Sequence, residues 1–205
     1  MAGSMKDIKL RIKSVESTMQ ITRAMQLVAT SKLRRAKEKM ETSRPYAAIS
    51  RSAIMAAAAS CNDETVPYIT PRPVNCRLYV VIAGDRGLAG GYNANIFKLL
   101  AAHAEGMKYA VLPIGRKAVD KYARMDCEVL TSEFDHVEMM GVKQCYYASK
   151  LMTDGYLSGK FDEVFLVYTD FKNMMSQEAT VEQLLPIEKP EKKESVCSTI
   201  YEPDA

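Results

Sequence analysis

Apolar positions repeat at helical spacing over the first 60 residues of the chain. A seam with steps of four, three and four is formed by Ile8, Ile12, Val15 and Met19. This spacing is typical of a coiled coil, and glycine is absent from residues 4–83. We therefore predict one long helix of coiled-coil type over residues 4–60. A bend is expected near Pro45, because proline removes a hydrogen bond of the helix.

The apolar stripe changes face along this helix. Apolar residues on roughly the opposite face are Leu10, Ile21, Met25 and Val28, and a third group is Leu33, Ala36 and Met40. A helix that covers a single core keeps one apolar face. We therefore expect several partners around the helix. The alternative is a long helix folded over its own domain.

Residues after the helix predict a connector and then an α/β domain. The connector, 62–75, holds Pro67, Pro71 and Pro73, which restrict the backbone and remove donors. Strands are predicted at 78–83, 109–114, 127–130, 163–169 and 180–187, with a last short strand at 196–201. Helices are predicted from Asn93, as N-cap, to just before Gly106, at 116–125 and at 142–157. This alternation favours a Rossmann-like, mostly parallel sheet with helices on both faces.

The predicted division of the chain has four parts. These are a long basic helix at 1–61, the connector at 62–75, the Rossmann-like domain at 76–190 and a tail at 191–205. The helix is basic because residues 6–44 hold 11 Lys or Arg and 4 Asp or Glu, a net charge of +7, whereas the whole chain carries +3. A basic helix suits acidic protein loops or nucleic acid, although a solvated charged face explains the charge equally well.

The glycines after the first strand do not form a nucleotide-binding fingerprint. Gly84, Gly87, Gly90 and Gly91 give the spacing Gly-x-x-Gly-x-x-Gly-Gly. A dinucleotide fold uses Gly-x-Gly-x-x-Gly, and a P-loop needs Lys and Ser or Thr after its last glycine. The segment therefore matches neither nucleotide-binding motif, and no cofactor is expected.

Other chemistry is also weakly represented. The five cysteines form no Cys-x-x-Cys pair, and His103 and His136 have no partners at ligand spacing, so no metal site is predicted. The carboxylates of Asp162, Glu163 and Asp170 flank an apolar strand and are interpreted as solubilising charges at its ends. No apolar run approaches the ~20 residues of a membrane helix, so direct membrane insertion is not expected.

Two separated motifs resemble the gamma subunit of F-type ATP synthase. The first is Ile21-Thr22-Arg23-Ala24-Met25, followed by Lys32-Leu33-Arg34-Arg35-Ala36 and Arg44-Pro45-Tyr46. The second is Gly84-Asp85-Arg86-Gly87-Leu88-Ala89-Gly90-Gly91-Tyr92-Asn93. The family has a second long helix at its C-terminus, and this sequence stops where that helix is expected to begin, like a truncated gamma subunit.

The resemblance implies a non-catalytic rotor subunit that couples rotation of a membrane ring to ATP synthesis. It implies as partners the alpha and beta subunits, the epsilon subunit and the c-ring, and no nucleic acid. It implies contacts to beta-subunit loops by Arg23, Met25, Lys32, Arg34 and Arg35. It implies a structural loop containing Gly84, Asp85, Arg86, Gly87, Gly90 and Gly91, and a foot facing the ring or epsilon at Tyr201 and Glu202. The implied location is peripheral, on the cytoplasmic side of a bacterial cell membrane.

Two other functions fit parts of the sequence. A Rossmann-type nucleotide-binding enzyme with a helical appendage would explain the domain, but it lacks a cofactor fingerprint. A basic helical nucleic-acid-binding protein would explain the helix, and its binding would fall steeply with salt. Copurification of alpha and beta subunits with the chain from its host separates both from the rotor.

We predict that the chain binds no nucleotide at residues 84–93. Isothermal titration calorimetry with ATP and NAD should show no heat of binding. Micromolar affinity that disappears in Gly87→Val would instead support the enzyme.

Overall fold

The computed structural model describes residues 4–61 and 65–188. The chain divides into two compact units, Met1–Ala56 and Ala57–Ala205. The predicted tail at 191–205, its short strand at 196–201, and the predicted foot residues Tyr201 and Glu202 lie outside the described residues.

The first unit is made by helix α1, which runs from Met5 to Ser60 without interruption, including Pro45. The predicted long helix is therefore confirmed, and its pairing as a coiled coil stays a prediction. At its start, the Ser4 carbonyl accepts hydrogen bonds from the backbone N–H groups of Asp7 and Ile8. Along its length, Thr18, Thr22, Thr30 and Thr42 donate their hydroxyls to the carbonyl four residues earlier. These bonds satisfy the threonine hydroxyls within the helix, where threonine is otherwise an unfavourable residue.

The second unit is an α/β sheet domain. Its strands are β1 (Cys76–Ile82), β2 (Lys108–Ile114), β3 (Glu128–Val129), β4 (Glu163–Phe171) and β5 (Gln177–Leu185). Its helices are α2 (Tyr92–His103), α3 (Arg116–Tyr122) and α4 (Val142–Leu157), with a 3₁₀ turn at Val137–Met139. The strand order is β3-β2-β1-β4-β5, and only β5, at one edge, is antiparallel. The predicted mostly parallel α/β sheet is confirmed.

The sheet is covered on both faces because side chains alternate along β1. Leu78 and Val80 pack with residues of α4 such as Ala148. Tyr79 and Val81 pack with α2 and α3 on the other face. The two layers of the core therefore meet at one strand, which lies between β2 and β4.

Element boundaries shift where local pattern competes with long-range pairing. β3 is only two residues long, and α3 ends at Tyr122 rather than at 125. β5 starts at Gln177, three residues before the predicted start, because it pairs with β4 as far as Phe171. The apolar pattern alone cannot show such pairing.

Asp162 corrects the interpretation of the strand-end carboxylates. It is buried, with 7% of its surface exposed, and its carboxylate accepts hydrogen bonds from Arg72 Nε (2.9 Å), Asn75 N (2.7 Å) and Cys76 N (3.0 Å). Burial alone would raise the pKa of Asp162, but the two backbone N–H groups and the Arg72 guanidinium lower it. Asp162 therefore fastens the connector to the start of β1.

Glu163 also has a structural role. Its carboxylate receives a hydrogen bond from Arg77 Nε at 2.7 Å, and both side chains are largely buried. Asp170 forms an ion pair with Lys172 at 2.5 Å, and Lys172 is mostly exposed. Only this last pair fits the predicted solubilising role.

We predict that Asp162→Asn destabilises the folded chain by about 3 kcal/mol at pH 7, because it removes a buried charge from three hydrogen bonds. The folded-state pKa lies below the unfolded value of about 3.9. The stabilising contribution is therefore complete above that pH and is lost as pH falls through the folded pKa. Urea unfolding should show a difference between variant and parent that shrinks below pH 4. Asp154→Asn, at an exposed position of α4, is the control. A difference that stays constant down to pH 2 would contradict this role.

Candidate functional site: the α1 surface and the loop after β1

The five residues implied as partner contacts all lie on the exposed surface of α1: Arg23, Met25, Lys32, Arg34 and Arg35. Arg34 forms an ion pair with Glu38 at 3.8 Å, but both side chains are mostly in solvent, so the pair contributes little to stability. At 100° per residue, Arg23 and Arg34 share one side of the helix, and Met25 and Lys32 share nearly the opposite side. The charges therefore surround the helix rather than forming one stripe.

The apolar seam of α1 is also exposed. About half or more of each seam side chain is accessible: Ile8 50%, Ile12 53%, Val15 61% and Met19 47%. Among the residues of α1, all of which the structure describes, only Ala58 is buried. Exposed apolar surface of this extent marks an interaction surface.

The loop between β1 and α2 is held by its own hydrogen bonds. Asn93 Oδ1 accepts the backbone N–H of Gly84 at 2.8 Å. Asn93 is therefore not the N-cap of α2 as predicted. The cap position is Gly91, which offers no side-chain bond. Asn93 is the second residue of α2, and its side chain closes the loop.

A dinucleotide in this class of sheet lies where the strand order reverses, at the carboxyl end of β1 beside β4. In this chain, the Tyr92 ring and the Asn93 amide occupy that end of β1. A Cβ built on Gly84 would meet Asn93 Oδ1 at 3.4 Å and the Tyr92 ring at 3.6 Å. The backbone N–H of Gly84, which would face a phosphate, already donates to Asn93 Oδ1. The geometry therefore favours a structural loop.

Asp85 connects this loop to two other elements. Its carboxylate accepts hydrogen bonds from Val137 N (3.0 and 3.1 Å) and Arg116 N (3.3 Å). The ring nitrogen Nδ1 of His136 lies 4.0 Å from the same carboxylate. Asp85 thus ties β1 to α3 and to the 3₁₀ turn.

The rest of the loop is solvent-exposed. Arg86, Gly87, Gly90 and Gly91 are all exposed. Gly90 adopts a positive φ of 56°, and so does the non-glycine Leu88, at 58°. These positive angles produce the tight turns expected of the loop.

Gly115 is a structural residue that the sequence reasoning missed. It has φ +93°, and a Cβ there would lie 2.1 Å from the Ala83 carbonyl oxygen. Next to it, Lys117 N donates to the Gly84 carbonyl at 3.1 Å. The available signal was a glycine directly after a buried strand and before a helix.

No group of side chains able to hold a metal occurs among residues 4–61 and 65–188. In the same ranges, no helix is both long enough and apolar enough to cross a bilayer. Cys76, Cys127 and Cys145 are free thiols. Burial raises the pKa of Cys76 and Cys127, which makes these two thiols poor nucleophiles.

Comparisons with known proteins agree with this geometry. A sequence model described as ATP synthase matches residues 4–205. The ATP synthase gamma chains of Desulforamulus reducens and Moorella thermoacetica are 38% and 40% identical to this chain. These alignments cover 99% and 97% of this chain and 73% and 71% of those proteins.

Solved structures share the fold. One is the central stalk and c-ring of the Tetrahymena thermophila mitochondrial ATP synthase, with a TM-score of 0.59 at 23% identity over 81% of this chain and 72% of that one. Another is the rotor of the Euglena gracilis mitochondrial ATP synthase, with a TM-score of 0.56 at 18% identity over 89% and 63%.

Together with these matches, the fold defines the class of protein, a stalk subunit of an ATP synthase. The chain belongs to the ATP synthase gamma chain family, with a central-stalk role. It spans about three quarters of the length of the relatives it matches. The nucleotide-binding enzyme and the nucleic-acid-binding protein are not favoured by these matches.

We predict that Gly115→Ala severely destabilises the second unit, by more than about 3 kcal/mol, because the new Cβ collides with backbone and the φ is strained. Gly87→Ala is the matched control, since nothing lies within 4 Å of its Cβ position. Thermal unfolding followed by circular dichroism compares the two. Equal melting temperatures would show that the approach of Gly115 to Ala83 is not close in solution.

Proposed function

We propose that this chain is the rotating shaft of a proton-translocating ATP synthase and couples rotation of the c-ring to ATP synthesis or hydrolysis in the alpha–beta hexamer. The observation that carries the proposal is the surface of α1, a 56-residue helix with one buried residue and exposed apolar side chains along its length. In proteins, most of the stability of a helix comes from packing of its apolar side chains against other elements. The exposed apolar side chains of α1 therefore favour partner proteins that cover them.

The different sides of α1 suit different partners. The seam that begins at Ile8 has coiled-coil spacing and fits an antiparallel helix. The basic residues Arg23, Lys32, Arg34 and Arg35 fit acidic loops of the beta subunits, and Met25 offers an adaptable apolar contact. Because these groups surround the helix, each rotation angle presents a different set of contacts to a given site.

This arrangement couples rotation to catalysis without a catalytic residue in the chain. A ligand or partner shifts a conformational equilibrium only through different contacts with the two states. An asymmetric shaft makes different contacts with three equivalent sites at once, so it stabilises a different state in each. Chemistry then takes place in the partner subunits, which agrees with the filled crevice at Gly84.

The sheet domain is assigned to the opposite task, contact with the epsilon subunit and the c-ring, with Tyr201 and Glu202 in the foot. We place the assembled chain peripherally at the cytoplasmic side of a bacterial cell membrane, held there by the ring. The loop that contains Gly84, Asp85, Arg86, Gly87, Gly90 and Gly91 supports this domain rather than contacting a ligand.

We predict that Arg34→Glu with Arg35→Glu lowers ATP-driven proton pumping about tenfold, since placing like charges against acidic loops costs at least ~1.4 kcal/mol. Pumping is measured in inverted vesicles that carry the complex assembled with this chain. Folding should change little, because both side chains are exposed.

The control is Lys37→Glu with Lys39→Glu, which makes the same charge change on the same helix. It should leave pumping within about twofold of the parent, because the Lys37–Glu41 ion pair, at 3.5 Å, is exposed and contributes little. Equal losses in both double variants would show that only the net charge of α1 matters and that Arg34 and Arg35 make no specific contacts. Normal pumping in both would contradict the assigned contacts.

A further inference from the structure

The second unit contains a groove between α2 and α3 to which the proposed function assigns no specific contact. The groove has a volume of about 520 Å³, and its walls include Phe97 of α2 and Met125 just after α3. The α3 side contributes three cations, Lys117, Lys121 and Arg124. The groove therefore combines an apolar floor with a basic wall.

The basic wall differs in charge from the rest of the second unit. Residues 57–205 hold 16 Lys or Arg against 21 Asp or Glu, so this part of the chain is acidic. Four of those 16 basic residues fall within 116–124. Among the described residues, no acidic side chain forms an ion pair with Lys117, Lys121 or Arg124, although Asp120 also lines the groove.

The spacing of these cations matches an extended chain. Lys117 and Lys121 are four residues apart in α3, so they lie on one side of that helix. Arg124 follows just after α3 ends at Tyr122 and lines the same groove. Carboxylates on one face of an extended peptide are about 7 Å apart, close to the ~6 Å rise from Lys117 to Lys121. The groove is open rather than enclosed, which suits a peptide better than a small ligand.

The floor offers an apolar contact of defined position. The Phe97 ring packs edge-on against Tyr122, with ring centroids 5.9 Å apart, and Lys121 Nζ lies 5.7 Å from the centroid of the Phe97 ring. Phe97 is thereby fixed in place, while Met125 is 39% exposed and adaptable.

We propose that the groove between α2 and α3 is a docking site for an acidic, extended segment of a partner protein. Carboxylates of that segment bind Lys117, Lys121 and Arg124, and an adjacent apolar side chain lies on Phe97 and Met125. No residue of α1 takes part, so this proposal and the assigned contacts of α1 stand or fall separately.

The test uses the whole chain and a fluorescein-labelled peptide in which Glu alternates with Ser and one Leu follows. Fluorescence anisotropy gives the dissociation constant. In Lys121→Glu with Arg124→Glu, binding should weaken about tenfold or more, since the charge reversal turns two attractive ion pairs into repulsive ones. Lys143→Glu with Lys150→Glu, the same charge change at exposed positions of α4, should leave affinity within about twofold.

A double-mutant cycle tests the apolar contact. Met125→Ser should weaken binding of the Leu-containing peptide, and it should have no effect on a peptide with Ser in place of Leu. Equal effects on both peptides would remove Met125 from the site.

Three results would overturn the proposal. The first is equal binding to both charge-reversed variants, and the second is equal binding of a peptide with Gln in place of Glu. The third is competition by a DNA oligonucleotide of equal charge as strong as that by the acidic peptide, because a general anion surface would then explain the cations.

Discussion

The burial of β1 on both faces and along both edges is the constraint on which the sheet domain depends. Its backbone pairs in parallel with β2 and β4, and Leu78, Tyr79 and Val81 have no exposed surface. The backbone N–H and C=O groups at the ends of such a strand cannot bond to water, so they need hydrogen-bond partners in the protein. Asp162 provides them at the start of the strand, where it accepts Cys76 N and donates its own N–H to the Cys76 carbonyl at 2.8 Å.

The same requirement shapes the other end of β1. Ala83 N donates to the Ile114 carbonyl at 2.9 Å, and Gly84 N is taken by Asn93. Gly115 is required because the chain after β2 passes too close to Ala83 for any side chain. At this end of β1, where related folds receive a cofactor, the Gly84 N–H is thus already bonded within the protein. A Rossmann-like fold therefore carries no argument for nucleotide chemistry here, since function depends on the site and not on the fold.

Helix α1 obeys the opposite constraint. Its hydrogen bonds are local, so the backbone needs no tertiary partner, but its apolar side chains remain exposed. Burying a side chain such as Ile12 contributes ~1.5–3 kcal/mol, so partners that cover the seam gain much of their affinity from it. The stability of the sheet domain is thus separate from the assembly that we propose for α1.

The features that the sequence by itself predicted are those that depend on interactions between residues close in sequence. The absence of glycine and the helix-favouring composition define α1 to within one residue, and α4 coincides with its predicted range. The buried strands follow from their continuous apolar runs, and the family follows from two motifs. The exposure of Arg34 and Arg35 was equally predictable, because charged residues on a long helix face solvent unless a partner covers them.

Only the tertiary structure decided which polar groups hold the domain together. Asp162 and Arg72 are 90 positions apart in sequence, and Asp85 and Val137 are 52 apart. Asn93 has the composition of an N-cap, yet it accepts the Gly84 N–H because the loop folds back onto α2. The groove lined by Phe97 and Lys121 exists only because α2 and α3 pack on the same face of the sheet. All four features have the same physical reason. Burial and hydrogen-bond partners depend on which segments, distant in sequence, pack together, whereas periodicity along the sequence reports only local geometry.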